Sequence, residues 1–298
     1  MGFAFKNSGI AASVFLVLYT IYTAFTIKVV YDKGWRSIYT SLLIFGIFRV
    51  CGQFSGVAFA ALGYEHYQWL IAYLVFTAEG YFVLILSSFH LLAKAQVDVF
   101  GYSWIRPTRK QREEQRKNAT NWRQKLHASL PPSTVFHALL IPANAFIISG
   151  GSMLTGQGID NIDQNKLHTS KALRTVGQIV FLAQTLMAIL LAVYVYFKEG
   201  LRHHNVYAIF LVAPFLLVRG IFGIMSIYVN EMNYYDMRNY SEDGLKPKFV
   251  VFEYVLAATM EFIAGSIYIS LYYFDKTKKN ENGDILVEEE TEDRKEAV

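Results

Sequence analysis

Charge is scarce in this chain. Asp, Glu, Lys and Arg make up only 17% of its 298 residues, against about 25% in an ordinary soluble domain. Cysteine is nearly absent: Cys51 stands alone, with six prolines, which excludes a disulfide scaffold or a Cys-based zinc module. The net charge of +4 is too small to imply a polyanionic partner, and no nucleic acid is expected. Aromatic residues, by contrast, are plentiful, with 20 Tyr and 23 Phe. That combination rules out a disordered chain and argues against a soluble enzyme core. It specifies an all-α polytopic membrane protein.

Crossing a bilayer as a helix takes roughly 20 predominantly apolar residues. Seven segments meet that length, at about 8–30, 37–62, 68–93, 133–155, 172–197, 205–230 and 249–274. None alternates with period two, as a membrane β-barrel requires. The first lacks a small-residue cleavage site at Ile27-Lys28-Val29 and reads as a retained helix. Residues 1–275 therefore form a seven-helix membrane domain. The tail 276–298 is acidic and poor in aromatics, the composition of a disordered cytosolic segment.

Lysine and arginine fall unevenly between the two sets of loops, 17 on one side against 6 on the other. The excess side is read as cytosolic, so the N-terminus lies outside or in the lumen and the C-terminus in the cytosol. Asn239 heads an Asn-Tyr-Ser sequon on the outer side and is a candidate glycosylation site. The choice between plasma membrane and endomembrane stays open.

Nine of the cytosolic cations lie between Lys94 and Lys125. Beyond Pro107 this loop, 94–132, has the pattern of a surface helix, with Trp104, Trp122 and Leu126 able to touch the membrane. It reads as a solvated basic loop, or as a surface for anionic membrane lipids or a cytosolic protein partner.

Four charges break the apolar spans near mid-depth: Arg49, Glu79, Arg219 and Glu261. Unpaired, each costs roughly 2.5–3.5 kcal/mol at the centre of a helix in hydrocarbon, so each is expected to face inward with a partner. The second and third spans form a short-looped hairpin, which predicts an Arg49–Glu79 pair. The sixth and seventh predict Arg219–Glu261. Repetition of Arg then Glu in spans 1–3 and 5–7 suggests a parallel 3+1+3 duplication. Around these charges, Gly46, Gly52, Gln53 and Gly56 mark a small, polar face of the second span. Glu253, Ala257, Glu261 and Gly265, four residues apart, share a face of the seventh. The quartet is either a structural set of paired charges fixing helix register or a substrate- or proton-handling site.

Gly34-Trp35 before the second span, Arg49-Val50-Cys51-Gly52 within it, Gly150-Gly151-Ser152 in the fourth, Pro214-Phe215-Leu216-Leu217-Val218-Arg219 in the sixth and Met260-Glu261-Phe262 in the seventh follow one another along the chain. In that order they resemble a family of fungal seven-helix membrane proteins of unassigned function, over about residues 10–275. The family is similar in outline to the RTA-like lipid-translocating exporters of fungi. The resemblance implies a transporter or translocator of a lipid-like or amphiphilic small molecule and brings no catalytic residues with it.

Other classes are weaker. No lysine in the seventh span offers a retinal Schiff base, and no Asp/Glu-Arg-Tyr follows the third. No Walker-type loop, nucleophile elbow or Cys–His arrangement occurs, and neither cofactor nor metal is expected. A receptor or sensor signalling through 94–132 is the main alternative. A membrane-embedded terpene-cyclase-like enzyme, using Glu79 or Glu261 as acid, is the other.

Overall fold

In hydrocarbon a backbone satisfies its own polar groups only as a helix or a closed barrel, and the seven apolar segments form helices. The computed structural model describes residues 3–35, 37–118, 121, 131–153, 164–241 and 244–274. The helices are α1 (Lys6–Lys33), α2 (Tyr39–Leu62), α3 (Gln68–Phe100), α4 (Arg109–Asn118), α5 (Pro132–Ser152), α6 (Gln164–Lys198), α7 (His204–Tyr228) and α8 (Pro247–Phe274). All but α4 are long and apolar enough to cross a membrane. The protein is an all-α, multi-pass membrane protein. The acidic tail 276–298, Trp122 and Leu126 lie outside the described residues.

Local chemistry sets the boundaries. Gly63 ends α2 at φ 78° and Gly101 ends α3 at φ 75°, a left-handed setting that favours a residue without Cβ. Their N–H groups donate back to Phe59 O and Val97 O. Pro132 and Pro247 sit at the starts of α5 and α8, where a missing N–H costs nothing. The basic loop carries α4, opened by a reciprocal cap: Thr108 N donates to Gln111 Oε1 at 2.9 Å and Gln111 N to Thr108 Oγ1 at 3.4 Å.

The burial pattern is that of a protein dissolved in lipid. On α1, Ile10, Val14, Val17 and Ile21 form an exposed stripe, while Tyr19, Tyr22 and Thr26 are buried. Polar aromatic groups thus face in and aliphatic ones out, the arrangement expected when the solvent is itself apolar. α2, α3 and α7 bury half of their apolar stretch against 22% for α1, which places the former three at the centre. α3 contacts α2, α5, α6 and α7. Phe89 of α3 stacks on Phe136 of α5 with centroids 4.3 Å apart. Ser88 of α3 and Tyr268 of α8 share a 2.6 Å hydrogen bond.

α8 is not uniform. Tyr254–Thr259 is a π-helical segment, a widened turn common at functional sites. The Tyr19 hydroxyl from α1 donates to Ala258 O in this segment at 2.9 Å.

Two residues that the sequence singled out are held by partners in the loops. Trp104, partly buried, donates its indole N–H to Glu199 Oε1 at 2.5 Å and packs its ring on Tyr194. An indole N–H left in lipid has no acceptor, and Glu199 supplies one. Asn239 is 7% exposed, and its amide donates to Asn230 O and Asn233 O at 2.5 and 2.8 Å. The folded loop between α7 and α8 uses this amide as an internal donor.

That loop is also held by Asp236, which takes three hydrogen bonds from the Arg238 guanidinium, the shortest 2.7 Å. The bonds from Arg238 hold the Asp236 carboxyl below the usual carboxylate range. A depressed value means stability that is present above the unfolded pKa and lost as pH falls through the folded one. Protection of the amides in residues 229–241, taken relative to intrinsic exchange at each pH, is expected to fall as the pH is lowered through that window, and Asp236→Asn to flatten the dependence.

Candidate functional site

Glu261 of α8 is wholly buried and two arginines meet it. Arg49 of α2 and Arg219 of α7 are 1% and 5% exposed. Arg49 Nη2 is in contact with Glu261 Oε2, and Arg219 Nε donates to Oε1 at 2.5 Å. One carboxylate thus spans two guanidiniums and joins three helices. Buried charges of this kind are tolerated when each has a partner.

The expected Arg49–Glu79 pair does not form. Glu79 is partly exposed, and its Oε1 accepts from Asn144 Nδ2 of α5 at 2.5 Å. The reason lies one residue on. Adjacent helical residues point about 100° apart, and α3 turns Gly80, not Glu79, to the centre. A Cβ at Gly80 would lie 2.5 Å from Arg49 Nε, 3.0 Å from its Cζ and 3.1 Å from Glu261 Oε2. Glycine at this position makes the room in which the triad assembles.

Aromatic faces cover both cations, as guanidiniums favour. Tyr19 lies 5.8 Å from Arg49 Cζ and Tyr81 5.0 Å from Arg219 Cζ. Tyr81 is fixed by Thr185 Oγ1 at 2.9 Å and Leu216 O at 3.2 Å. Its hydroxyl fits against Gly220, where a Cβ would stand 2.7 Å away.

The other predicted site residues stand beside the triad. Gln53, one turn beyond Arg49, is fully buried and accepts from the Tyr254 hydroxyl at 3.3 Å. Glu253, 4% exposed, accepts from the Tyr73 hydroxyl at 3.2 Å. It has no arginine or lysine within 4.0 Å among the described residues.

Glu253 and Arg219 also line a cavity of about 100 Å³ that opens beneath the α7–α8 loop. Leu74 and Ala78 of α3, Ile147 of α5 and Phe222 of α7 give it apolar walls. Two further polar residues enter it from α6: Arg174 and Gln178, each 8% exposed. The Arg174 guanidinium stacks over Tyr235 with Cζ 4.5 Å from the ring centroid. The Tyr235 hydroxyl donates to Gly151 O at 2.9 Å. Burial pushes that hydroxyl above the usual phenol range while the neighbouring Arg174 charge pulls it down.

Arg174 escaped the sequence reading because it is the third residue of the span expected at 172–197. There it counted neither as a loop cation nor as a mid-depth charge. The signal was present in the spacing: Ser170, Arg174 and Gln178 recur every four residues on the face that also buries Phe181 and Thr185.

On the opposite face of the protein a wider cleft of about 750 Å³ is lined by Lys33, Lys94, Arg106, Trp35 and Tyr39. It lies where α1, α2 and α3 meet the start of the basic loop.

The triad makes a prediction that separates it from the two-pair arrangement. Glu261→Gln leaves two guanidiniums facing a neutral amide and is expected to cost roughly 3–5 kcal/mol. Glu79→Gln loses one charge-assisted bond and is expected to cost roughly 1–2 kcal/mol. Thermal midpoints of the purified variants measure both. Exchange of charges, Arg49→Glu with Glu79→Arg, is expected not to restore stability, because it brings a second carboxylate against Glu261. Gly80→Ala is expected to cost about 1–3 kcal/mol by overpacking the triad.

No family model, no curated protein and no solved structure matches the chain, and the geometry of the site is what its function must answer to.

Proposed function

We propose that this protein is a transporter or translocator of a lipid-like or amphiphilic small molecule, working through the cavity and the triad. One observation carries the reading: Arg219 belongs to both. Its guanidinium lines the cavity and its Nε holds Glu261. A ligand drawing on Arg219 from the cavity competes with the bond that ties α7 to α8. Occupancy is thereby coupled to the packing of α2, α7 and α8, as alternating access requires.

Three features support it. The cavity joins apolar walls to a few polar groups, the composition of a small-molecule site. The π segment of α8 separates Glu253 at the cavity from Glu261 in the triad, giving that helix a place to yield. The resemblance to fungal seven-helix proteins, and more distantly to lipid-translocating exporters, points to the same substrate class. With the Lys and Arg excess placed in the cytosol, the cavity opens outward or to the lumen. The cationic cleft then faces the cytosolic leaflet and its anionic lipids.

An acid-catalysed enzyme is less favoured by the geometry. Each oxygen of Glu261 is engaged by a guanidinium, so neither is available to donate a proton to a substrate.

The test is uptake of a panel of labelled amphiphiles into proteoliposomes. At least one is expected to cross faster than in protein-free vesicles. Glu253→Gln is expected to lower that rate at least about tenfold with little change in thermal midpoint, since Glu253 is not part of the triad. Saturable binding of the panel with no flux would defeat the transporter and favour the receptor reading through 94–132.

A further inference from the structure

The cavity is lined by three charged side chains. Arg219 spends its Nε on Glu261, and Glu253 accepts from Tyr73. Arg174 is 8% exposed, yet its Nε and Nη2 have no hydrogen-bond partner among the described residues. A buried guanidinium without a partner is expensive, so its presence asks for a ligand.

The surroundings hold this side chain in place. Gly150 of α5 makes room for its stem: a Cβ there would lie 2.8 Å from Arg174 Cγ. Tyr235 stacks on its plane and is itself tied to Gly151 O. The Gly150-Gly151 step at the end of α5 thus seats the arginine on one side and its aromatic cover on the other. Tyr235 covers the plane of the guanidinium, and the two unpartnered donors, Nε–H and Nη2–H, are buried and form one edge of the fork. That edge matches the two oxygens of a carboxylate in parallel, bidentate hydrogen bonds. Gln178, one turn further along α6, adds an amide to the same cavity.

From this geometry we infer that Arg174 is the head-group receptor of the cavity, and that its ligand is an amphiphile ending in a carboxylate. The inference rests on the proposal that the cavity admits an amphiphile, and it names the head group. With about 100 Å³, less than the roughly 150 Å³ cavity that accepts benzene, the space takes the carboxylate and the first few carbons. The rest of the chain leaves through the open mouth.

The experiment is binding of hexanoate to the purified full chain in nanodiscs, read by calorimetry beside hexanol, hexylamine and hexyl sulfate. Hexanoate is expected to bind tightest of the four. Arg174→Gln is expected to abolish that binding, and Arg174→Lys, which keeps charge and stem but not the fork, to weaken it at least about tenfold. Both variants are expected to keep or raise the thermal midpoint, because a side chain kept for a ligand does not hold the fold together. Equal binding of hexanol would overturn the inference, as would tighter binding of hexylamine, which would assign the site to Glu253. Hexyl sulfate binding as well as hexanoate would refute the carboxylate assignment. So would hexanoate binding that survives Arg174→Gln, or a lower midpoint with unchanged binding in Arg174→Lys. Hexanoate binding that depends on Arg174 in a protein with no flux would leave this inference standing and remove the transporter.

Discussion

A single buried carboxylate holding two guanidiniums among membrane-spanning helices is the constraint around which this bundle is arranged. Glu261 cannot meet Arg49 and Arg219 unless α2, α7 and α8 converge at one depth and one azimuth. Convergence needs empty space on α3, which Gly80 supplies, and on α7, where Gly220 lets the Tyr81 hydroxyl approach. It needs cover for the cation faces, which Tyr19 and Tyr81 provide. Helices in lipid gain nothing by hiding apolar surface from one another. Polar contacts of this kind, with close packing at small residues, are therefore what select one arrangement.

Close packing is visible elsewhere on the same terms. On α2, Gly46 fits against Thr23 and Tyr22 of α1, while Gly52 and Gly56 fit against Phe76 and Tyr73 of α3. Glycines that share one stripe in sequence thus serve two neighbours. α5 and α6 meet at Gly177, where a Cβ would stand 2.5 Å from Ile147 and 2.6 Å from Ala143 O. The site is built where two closely packed groups, α1–α2–α3 and α5–α6–α7, are bridged by α3 and closed by α8.

The spans were legible in the sequence because the bilayer imposes length and polarity on each segment independently of the others. Helix ends were less so: α3 continues to Phe100 and α6 begins at Gln164, since helices extend past the hydrocarbon wherever the backbone is capped. The common level of Arg49, Arg219 and Glu261 was also legible, being a count along each helix. Their partners were not. Depth fixes one coordinate, whereas pairing depends on rotation about the axis and on which helix lies opposite. A short loop made Arg49 and Glu79 neighbours in height, but a 100° turn along α3 gave the inward place to Gly80. The partners of Trp104 and Asn239 were hidden for a related reason: each acceptor comes from residues a linear reading does not set beside it.

Arg174 and Glu261 are contrasting solutions to one problem. Both place charge where water is scarce. The triad satisfies it internally, with two cations on one anion and aromatic faces above, and such an arrangement yields register and rigidity. Arg174 is positioned just as carefully, by Gly150, Tyr235 and the Gly151 carbonyl, but at the wall of a cavity its Nε and Nη2 are left without partners. Ordering a side chain while withholding its partner lowers stability, and native folds retain such costs where they serve function. Since Arg219 lines the same cavity and ends in the triad, the open charge and the closed one stand on a single path, with the ligand's site at one end and the bundle's main tie at the other.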